Sequence, residues 1–212
     1  QRVFAGGGRL SGGMAFNPYL GAAERARIEA ARVGVAGAGG LGSNCLAHLV
    51  RCGVRRFVIA DFDTVSESNL NRQFFFADQL GMPKVEAVAA NLRRINPALE
   101  LELHPERVTA ENAVRRFGSC DVTVEAFDDP DAKTMLIRAL LPLGRPVVAA
   151  SGIAGWGRSN AMRVQRIGKQ LYMAGDRATG ISEETPPYSP RVGIAAAQQA
   201  NTVMALILGV EI

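Results

Sequence analysis

Gly37-Ala-Gly-Gly-Leu-Gly42 and, after it, Asp61-Phe-Asp-Thr-Val-Ser-Glu-Ser-Asn-Leu-Asn-Arg-Gln73 are the two stretches that decide how this chain folds. The first follows a short apolar run over residues 32–37 and opens a segment in which Leu41, Cys45, Leu46 and Leu49 share one helical face, ended by Gly53. The second follows another apolar run, Phe57-Val-Ile-Ala60. Strand, glycine turn, helix and strand closing on an acid make one β-α-β unit of about thirty residues, the module that binds nucleotides. Gly37, Gly39, Gly40 and Gly42 let backbone approach a phosphate that faces a helix N-terminus, and Asp61 stands where a carboxylate accepts hydrogen bonds from ribose hydroxyls. The plainer alternative is a tight turn followed by a surface acid.

The remaining chain repeats the alternation. Residues 79–95 read as a helix with Val85, Val88, Leu92 and Ile95 on one face, stopped by Asn96-Pro97. Leu99, Leu101 and Leu103 alternate as in a strand, Thr109 is a candidate N-cap for a helix reaching Phe117, and residues 121–127 form a fourth strand ending in Asp128-Asp129. A helix over 131–143 and a buried strand over 146–151 follow. Residues 162–167 and 170–173, joined by Gly168-Lys169, read as an antiparallel hairpin. Residues 179–190 form a polar loop rich in proline, with the composition of a mobile segment, and 192–210 a core or interface helix. The expected fold is α/β: a doubly wound, mostly parallel, Rossmann-like sheet with a C-terminal antiparallel hairpin extension. Residues 1–31 are expected to be a flexible lead, to residue 20, and a short helix, and 32–212 a single nucleotide-binding domain.

Composition narrows the possible functions. A chain of 212 residues fits one domain with a sizeable core. The net charge of +4 is spread along the length with no cationic run, which argues against a nucleic-acid arm. Cys45, Cys52 and Cys120 contain no C-x-x-C pair, so neither a disulfide framework nor a zinc site is expected, and a reduced, cytoplasmic protein is. Residues 1–13 lack the apolar core of a signal peptide. Gln198, Gln199 and Asn201 interrupt the most apolar segment, which leaves too short a stretch to span a bilayer.

The glycine turn lacks the Gly-Lys-Ser/Thr ending of a P-loop, so cations for the phosphates must come from elsewhere. Arg72 and Lys84 are the candidates, with amide donors from Asn69 and Gln73. Lys84 lies in the first turn of its helix, where a cation opposes the macrodipole, so a bound anion explains it better than helix stability does. Each alone could equally be a solvated charge. Asp128 ends a strand at the same sheet edge, where a carboxylate beside polyphosphate is best explained by Mg²⁺. Asp129 and Asp131 compete for that assignment, and N-capping ahead of Pro130 is the ordinary alternative for Asp129. Such a cluster suits a polyphosphate that is cleaved rather than one that only anchors a hydride carrier.

Together with Asp61-Phe-Asp63, Ser68-Asn-Leu-Asn-Arg-Gln73, Gly81 and Lys84, Ile95-Asn-Pro97, Glu125-Ala-Phe-Asp128, Gly175-Asp176 and Pro190-Arg-Val192, the glycine turn resembles the ThiF/MoeB family of adenylating enzymes related to ubiquitin-activating domains. The resemblance runs from about residue 32 to the C-terminus and is nearest the short ThiF subtype. It implies a homodimer that binds ATP and Mg²⁺ and adenylates the C-terminal glycine of a small ubiquitin-like sulfur carrier, ThiS in thiamine synthesis, with sulfur from a separate donor. It further implies that Gly40 and its neighbours back the phosphates, that Asp61 holds the ribose, and that Asp63, Ser68, Asn69, Arg72, Gln73 and Asp129 lie around the nucleotide. Lys84 would reach the phosphates and Asp128 would hold Mg²⁺. The chain departs from longer relatives in having no paired zinc cysteines and no cysteine after Cys120. The arginine that relatives contribute across the dimer has four candidates, Arg2, Arg9, Arg25 and Arg27. The rival readings are adenylation of another carrier, such as a molybdopterin-type one, or of a peptide C-terminus; a nucleotide-binding regulator without catalysis; and an NAD dehydrogenase, which has no use for Arg72 and Lys84.

Overall fold

The computed structural model describes residues 18–212; most of the expected lead, with Arg2 and Arg9, lies outside them. In chain order the elements are α1 (Ala22–Ala30), β1 (Arg32–Ala36), α2 (Gly40–Arg51), β2 (Arg56–Ala60), α3 (Lys84–Ile95), β3 (Glu100–His104), α4 (Ala110–Phe117), β4 (Val122–Glu125), α5 (Pro130–Leu140), β5 (Val147–Ala150), β6 (Arg163–Ile167), β7 (Leu171–Gly175) and α6 (Ser189–Leu208). The strands form one seven-stranded sheet in the order β3-β2-β1-β4-β5-β7-β6. Every neighbouring pair is parallel except β6 with β7. The order reverses between β1 and β4, and that is where open sheets of this kind leave a crevice at their carboxyl ends.

Residue alternation along the strands assigns the two faces. Val33, Val35, Phe57, Ile59, Val122, Val124 and Val148 pack with apolar residues of α2, α3 and α6. Ala36, Val58, Ala60 and Val147 pack with Phe117 of α4 and with Leu136 and Leu140 of α5. A period of two sends alternate side chains to opposite faces, so strands this apolar on both must be covered by helices on both.

Three expectations are refined. α3 begins at Lys84 rather than at residue 79: Gly81 has φ +83, and a separate 3-10 turn, Ala77–Gln79, precedes it. The buried Gln79 side chain donates to Ala87 O at 3.0 Å and to Asn91 Oδ1 at 3.0 Å, which pins that turn on α3 without joining it. The α-helix expected over 131–143 gives way after Leu140 to a 3-10 turn, Leu141–Leu143, at Pro142. The hairpin forms, but it is part of the sheet: β7 pairs parallel with β5, and polar β6 takes the edge.

α6 crosses the sheet beside α2 and packs on β4, β5 and β7. Its polar residues fasten it there. Gln199 is fully buried and donates to Glu125 O at 2.9 Å and to Val148 O at 3.1 Å, while Gln198 donates to Met162 O at 2.8 Å. Among the described residues no helix is long and apolar enough to cross a membrane.

Candidate nucleotide site

A cleft of about 1010 Å³ opens at the carboxyl ends of the strands. It is lined by Gly37, Gly39 and Gly40 after β1, by Asp61, Phe62 and Asp63 after β2, and by Asp128 and Asp129 after β4; Arg72, Gln73 and Lys84 also reach it. Two glycines of the turn are fixed by geometry. Gly37 has φ +96 and a Cβ there would lie 2.7 Å from Ala126 O; at Gly42 a Cβ would lie 1.9 Å from Gly37 O. Gly42 therefore lets α2 close on β1 and does not line the cleft. Gly39 stands at the N-cap of α2 with no side chain, so the first-turn N–H groups remain open to a ligand.

Asp61, the expected ribose partner, is engaged within the protein. Its Oδ2 accepts from Ala38 N at 2.6 Å and its Oδ1 from Asp63 N at 2.8 Å, which ties the ends of β1 and β2 together. Burial pushes its carboxyl up from the usual range, and those two N–H groups oppose the rise. Lys84 is 6% exposed, and its Nζ lies 2.8 Å from Asp63 Oδ2. The sequence left its anion open; within the protein it is Asp63, itself at the cleft.

The Arg72 guanidinium has only neutral partners among the described residues, Ser68 O at 3.1 Å and Asn71 Oδ1 at 2.8 Å. Gln73 carries a buried Oε1 with no hydrogen-bond partner. Two residues of α2 that the sequence did not single out fasten this loop to the glycine turn. Ser43 Oγ donates to Gly39 O at 2.6 Å and accepts from Phe74 N at 2.9 Å, and Asn44 Nδ2 donates to Gly40 O at 2.7 Å and to Arg72 O at 2.9 Å. Ser and Asn in the first turn of a helix after a glycine loop were the available signal. Ser68 and Asn69 are not brought to the cleft wall: the Ser68 hydroxyl meets Ser66 Oγ, and Asn69 Oδ1 accepts from Ser66 N at 3.1 Å, closing the 3-10 turn Glu67–Asn69.

The two acids after β4 divide. Asp129 Oδ1 accepts from Asp131 N at 2.8 Å ahead of Pro130, which makes it the N-cap of α5. Asp128 is exposed to the cleft. Among the described residues no group of three or more His, Cys, Asp and Glu is placed to hold a metal. A single unengaged carboxylate such as Asp128 fits Mg²⁺ only where waters and the oxygens of a bound nucleotide supply the remaining donors. Glu125, which opens the Glu125-Ala-Phe-Asp128 motif but had no role assigned from sequence, forms an ion pair with Lys133 just below. Glu125 is fully buried; burial raises its pKa, and Lys133 and Phe127 N counter that. An acid inside an otherwise apolar strand was the sign.

Across the cleft, the loop that follows β7 is tethered at both ends. Arg191 is 2% exposed; it donates to Asp176 Oδ2 at 2.6 Å, Gly157 O at 2.8 Å and Gly152 O at 3.3 Å. Asp176 Oδ1 accepts from Ala178 N and Thr179 N, both at 2.9 Å. Although burial opposes it, the Thr179 and Ala178 hydrogen bonds and the Arg191 guanidinium hold the Asp176 carboxyl well below the usual carboxylate range. Arg177 has φ +58, a left-handed conformation that costs a residue other than glycine ~1–3 kcal/mol. Near the far end Gly155 N donates to Pro186 O at 3.0 Å, and the Trp156 and Tyr188 rings stack 3.4 Å apart at 14°.

Of the N-terminal arginines within the described residues, Arg25 donates to Leu20 O and Arg27 to Leu208 O at 2.9 Å. Cys45 and Cys120 are buried and Cys52 is half-buried. Burial raises all three thiols, Cys120 to about 11. A low-pKa nucleophile is thus absent among them. A variant with all three replaced by Ser or Ala that folds is expected to keep whatever reaction the cleft supports; a covalent thioester trapped on any of the three would contradict this.

A model of the ThiF family matches residues 11–212. The adenylyltransferase and sulfurtransferase UBA4 of Candida glabrata is 32% identical over 190 residues, which cover 87% of this chain and 44% of that protein. The sulfur carrier protein adenylyltransferase of Thermus thermophilus is 36% identical over 132 residues, 62% of this chain and 49% of that one. The chain spans less than half the length of these relatives. Among solved structures, tRNA N6-threonylcarbamoyladenosine dehydratase of E. coli in complex with ATP superposes with a TM-score of 0.81 at 18% identity, covering 89% of this chain and 90% of that one, a likeness of fold.

Proposed function

The chain belongs to the ThiF family, and from that premise we propose that it is an adenylyltransferase acting on the C-terminal carboxylate of a small ubiquitin-like sulfur carrier, with ATP and Mg²⁺ as co-substrates and pyrophosphate as the leaving group. The observation that carries this reading is the cleft itself: a glycine turn and a tethered ribose-type acid on one wall, with Arg72, Lys84 and Asp128 grouped beyond them. An oxidoreductase would need the first pair alone.

The chemistry asks little of side-chain proton transfer. A terminal glycine carboxylate is already an anion at neutral pH, so its attack on the α-phosphorus needs no general base, and catalysis becomes alignment and neutralisation of charge on the departing pyrophosphate. Arg72, with no carboxylate partner of its own, is suited to the phosphates. Lys84, whose Nζ lies 2.8 Å from Asp63 Oδ2, is suited to turn from that carboxylate to a phosphate oxygen. Mg²⁺, when bound, would add further neutralisation of the phosphates, with Asp128 as its protein ligand. The tethered loop after β7, which lines the cleft from Arg177 to Ile181, is the wall along which an acceptor tail would enter, with Trp156 stacked on Tyr188 outside it.

The fuller reading has residues 32–212 as the adenylylating domain of a cytoplasmic homodimer serving a ThiS-like carrier in thiamine synthesis, with a separate protein delivering sulfur. The relative named as both adenylyltransferase and sulfurtransferase keeps other carriers in view as the acceptor. Saturating ATP with Mg²⁺, at about a hundred times its dissociation constant, is expected to stabilise the protein by ~2.7 kcal/mol, and NAD to add nothing. Stabilisation by NAD with none from ATP and Mg²⁺ would return the protein to the dehydrogenases.

A further inference from the structure

Resting on the adenylation reading, we propose that Arg177 is the residue that binds the acceptor's terminal carboxylate. It lines the cleft on the wall opposite the ribose acid. Its left-handed backbone is held from several sides: its N–H donates to Ser151 O at 3.1 Å, and the neighbouring Asp176 is fixed by Ala178 N, Thr179 N and Arg191. A glycine would take that conformation without strain, so the arginine has a side-chain reason to be there, and strain that the surroundings over-determine gathers at working sites.

The charge of Arg177, like those of Arg72 and Arg107 in the same cleft, is met by no carboxylate among the described residues. Lys84 meets Asp63 and Lys133 meets Glu125, whereas the only side-chain partner of Arg177 among the described residues is the neutral amide oxygen of Gln165 on edge strand β6. A guanidinium in a fixed frame matches a carboxylate with two parallel N–H groups.

Position then separates the two anions that could use it. Across the carboxyl edge the strands run β2, β1, β4, β5, β7. Asp61 follows β2 and the glycine turn follows β1, so a nucleotide seated on them has its sugar and α-phosphate at that end. At ~4.8 Å per strand, β7 stands about 14 Å beyond β1. The anion that must approach the α-phosphorus from that side is the acceptor. Carboxylate and triphosphate repel each other, and a cation at the entry side both lowers that repulsion and aims a carboxylate oxygen at phosphorus. The new O–P bond forms as the bond from Pα to the bridging oxygen breaks and pyrophosphate leaves; Arg177 stays protonated throughout, because its guanidinium does not release a proton in proteins.

The test uses the full chain, ATP analogue with Mg²⁺, and a ThiS-like carrier prepared with either a free C-terminal carboxylate or a carboxamide. Wild type is expected to bind the carboxylate form about tenfold more tightly. In Arg177→Gln that preference should disappear while ATP and Mg²⁺ bind as in wild type, and Arg177→Lys should restore part of it. A preference that survives in Arg177→Gln overturns the assignment, as does a loss of nucleotide affinity in that variant, which would place Arg177 on the phosphates. A wild-type chain that ATP and Mg²⁺ do not stabilise would instead remove the adenylation reading, and this assignment with it.

Discussion

Arg72→Ala and Lys84→Ala are each expected to slow adenylate formation roughly 100-fold, because each removes a charge that matters most as pyrophosphate departs, a loss of about 3 kcal/mol in the transition state. Their folding should suffer less. Arg72 gives up hydrogen bonds only to neutral oxygens at the surface of a loop. Lys84 is buried, but its partner Asp63 is 46% exposed and regains water when the ammonium is lost. The check is pyrophosphate exchange beside a thermal melt of each variant; variants that melt like wild type and retain full exchange would show that neither cation serves the reaction.

Arg191→Ala is expected to have the largest effect on stability. It strands Asp176, whose side chain is 6% exposed, and frees the carbonyls of Gly152 and Gly157. Breaking a buried pair by removing one partner costs ~3–5 kcal/mol, which lowers the melting temperature of a chain this size on the order of 10 °C. A carboxyl whose folded pKa is depressed adds stability that is present above its unfolded value, near 3.9, and is lost as pH falls through the folded one. Wild type should therefore lose stability below about pH 4 from this group, and the variant, lacking the cation, should lose less. Melts at neutral pH and on the acid side check both; a variant within a degree of wild type at neutral pH would show the clamp to be dispensable.

The alternating helices and strands were legible because their periodicities differ and because glycine and proline mark most ends. What escaped was set by contacts distant in sequence. Residues 79–83 fit the helical spacing of α3, yet the positive φ at Gly81 and the side chain of Gln79, folded back on Asn91, detach them. The direction of β7 depended on its pairing with β5, which no local pattern encodes. At the site, the residues that stand at strand ends, Asp61 and Asp128, were readable because strand order brings strand ends together. Ser68 and Asn69 come from the same motif, but they shape the loop and do not face the cleft. Ser43, Asn44, Lys133 and Arg191 act through partners 8 to 39 residues away, and only the fold reveals those partners.

The central claim is that this cleft activates a protein's terminal carboxylate with ATP. Exchange of labelled pyrophosphate into ATP, measured with the purified chain and a ThiS-like carrier, tests it most directly. Exchange should require Mg²⁺ and the carrier's C-terminal glycine, and it should cease when that glycine is removed. Exchange that proceeds equally without the glycine, or no exchange with any ubiquitin-like sulfur carrier by a chain that binds ATP, would contradict the account.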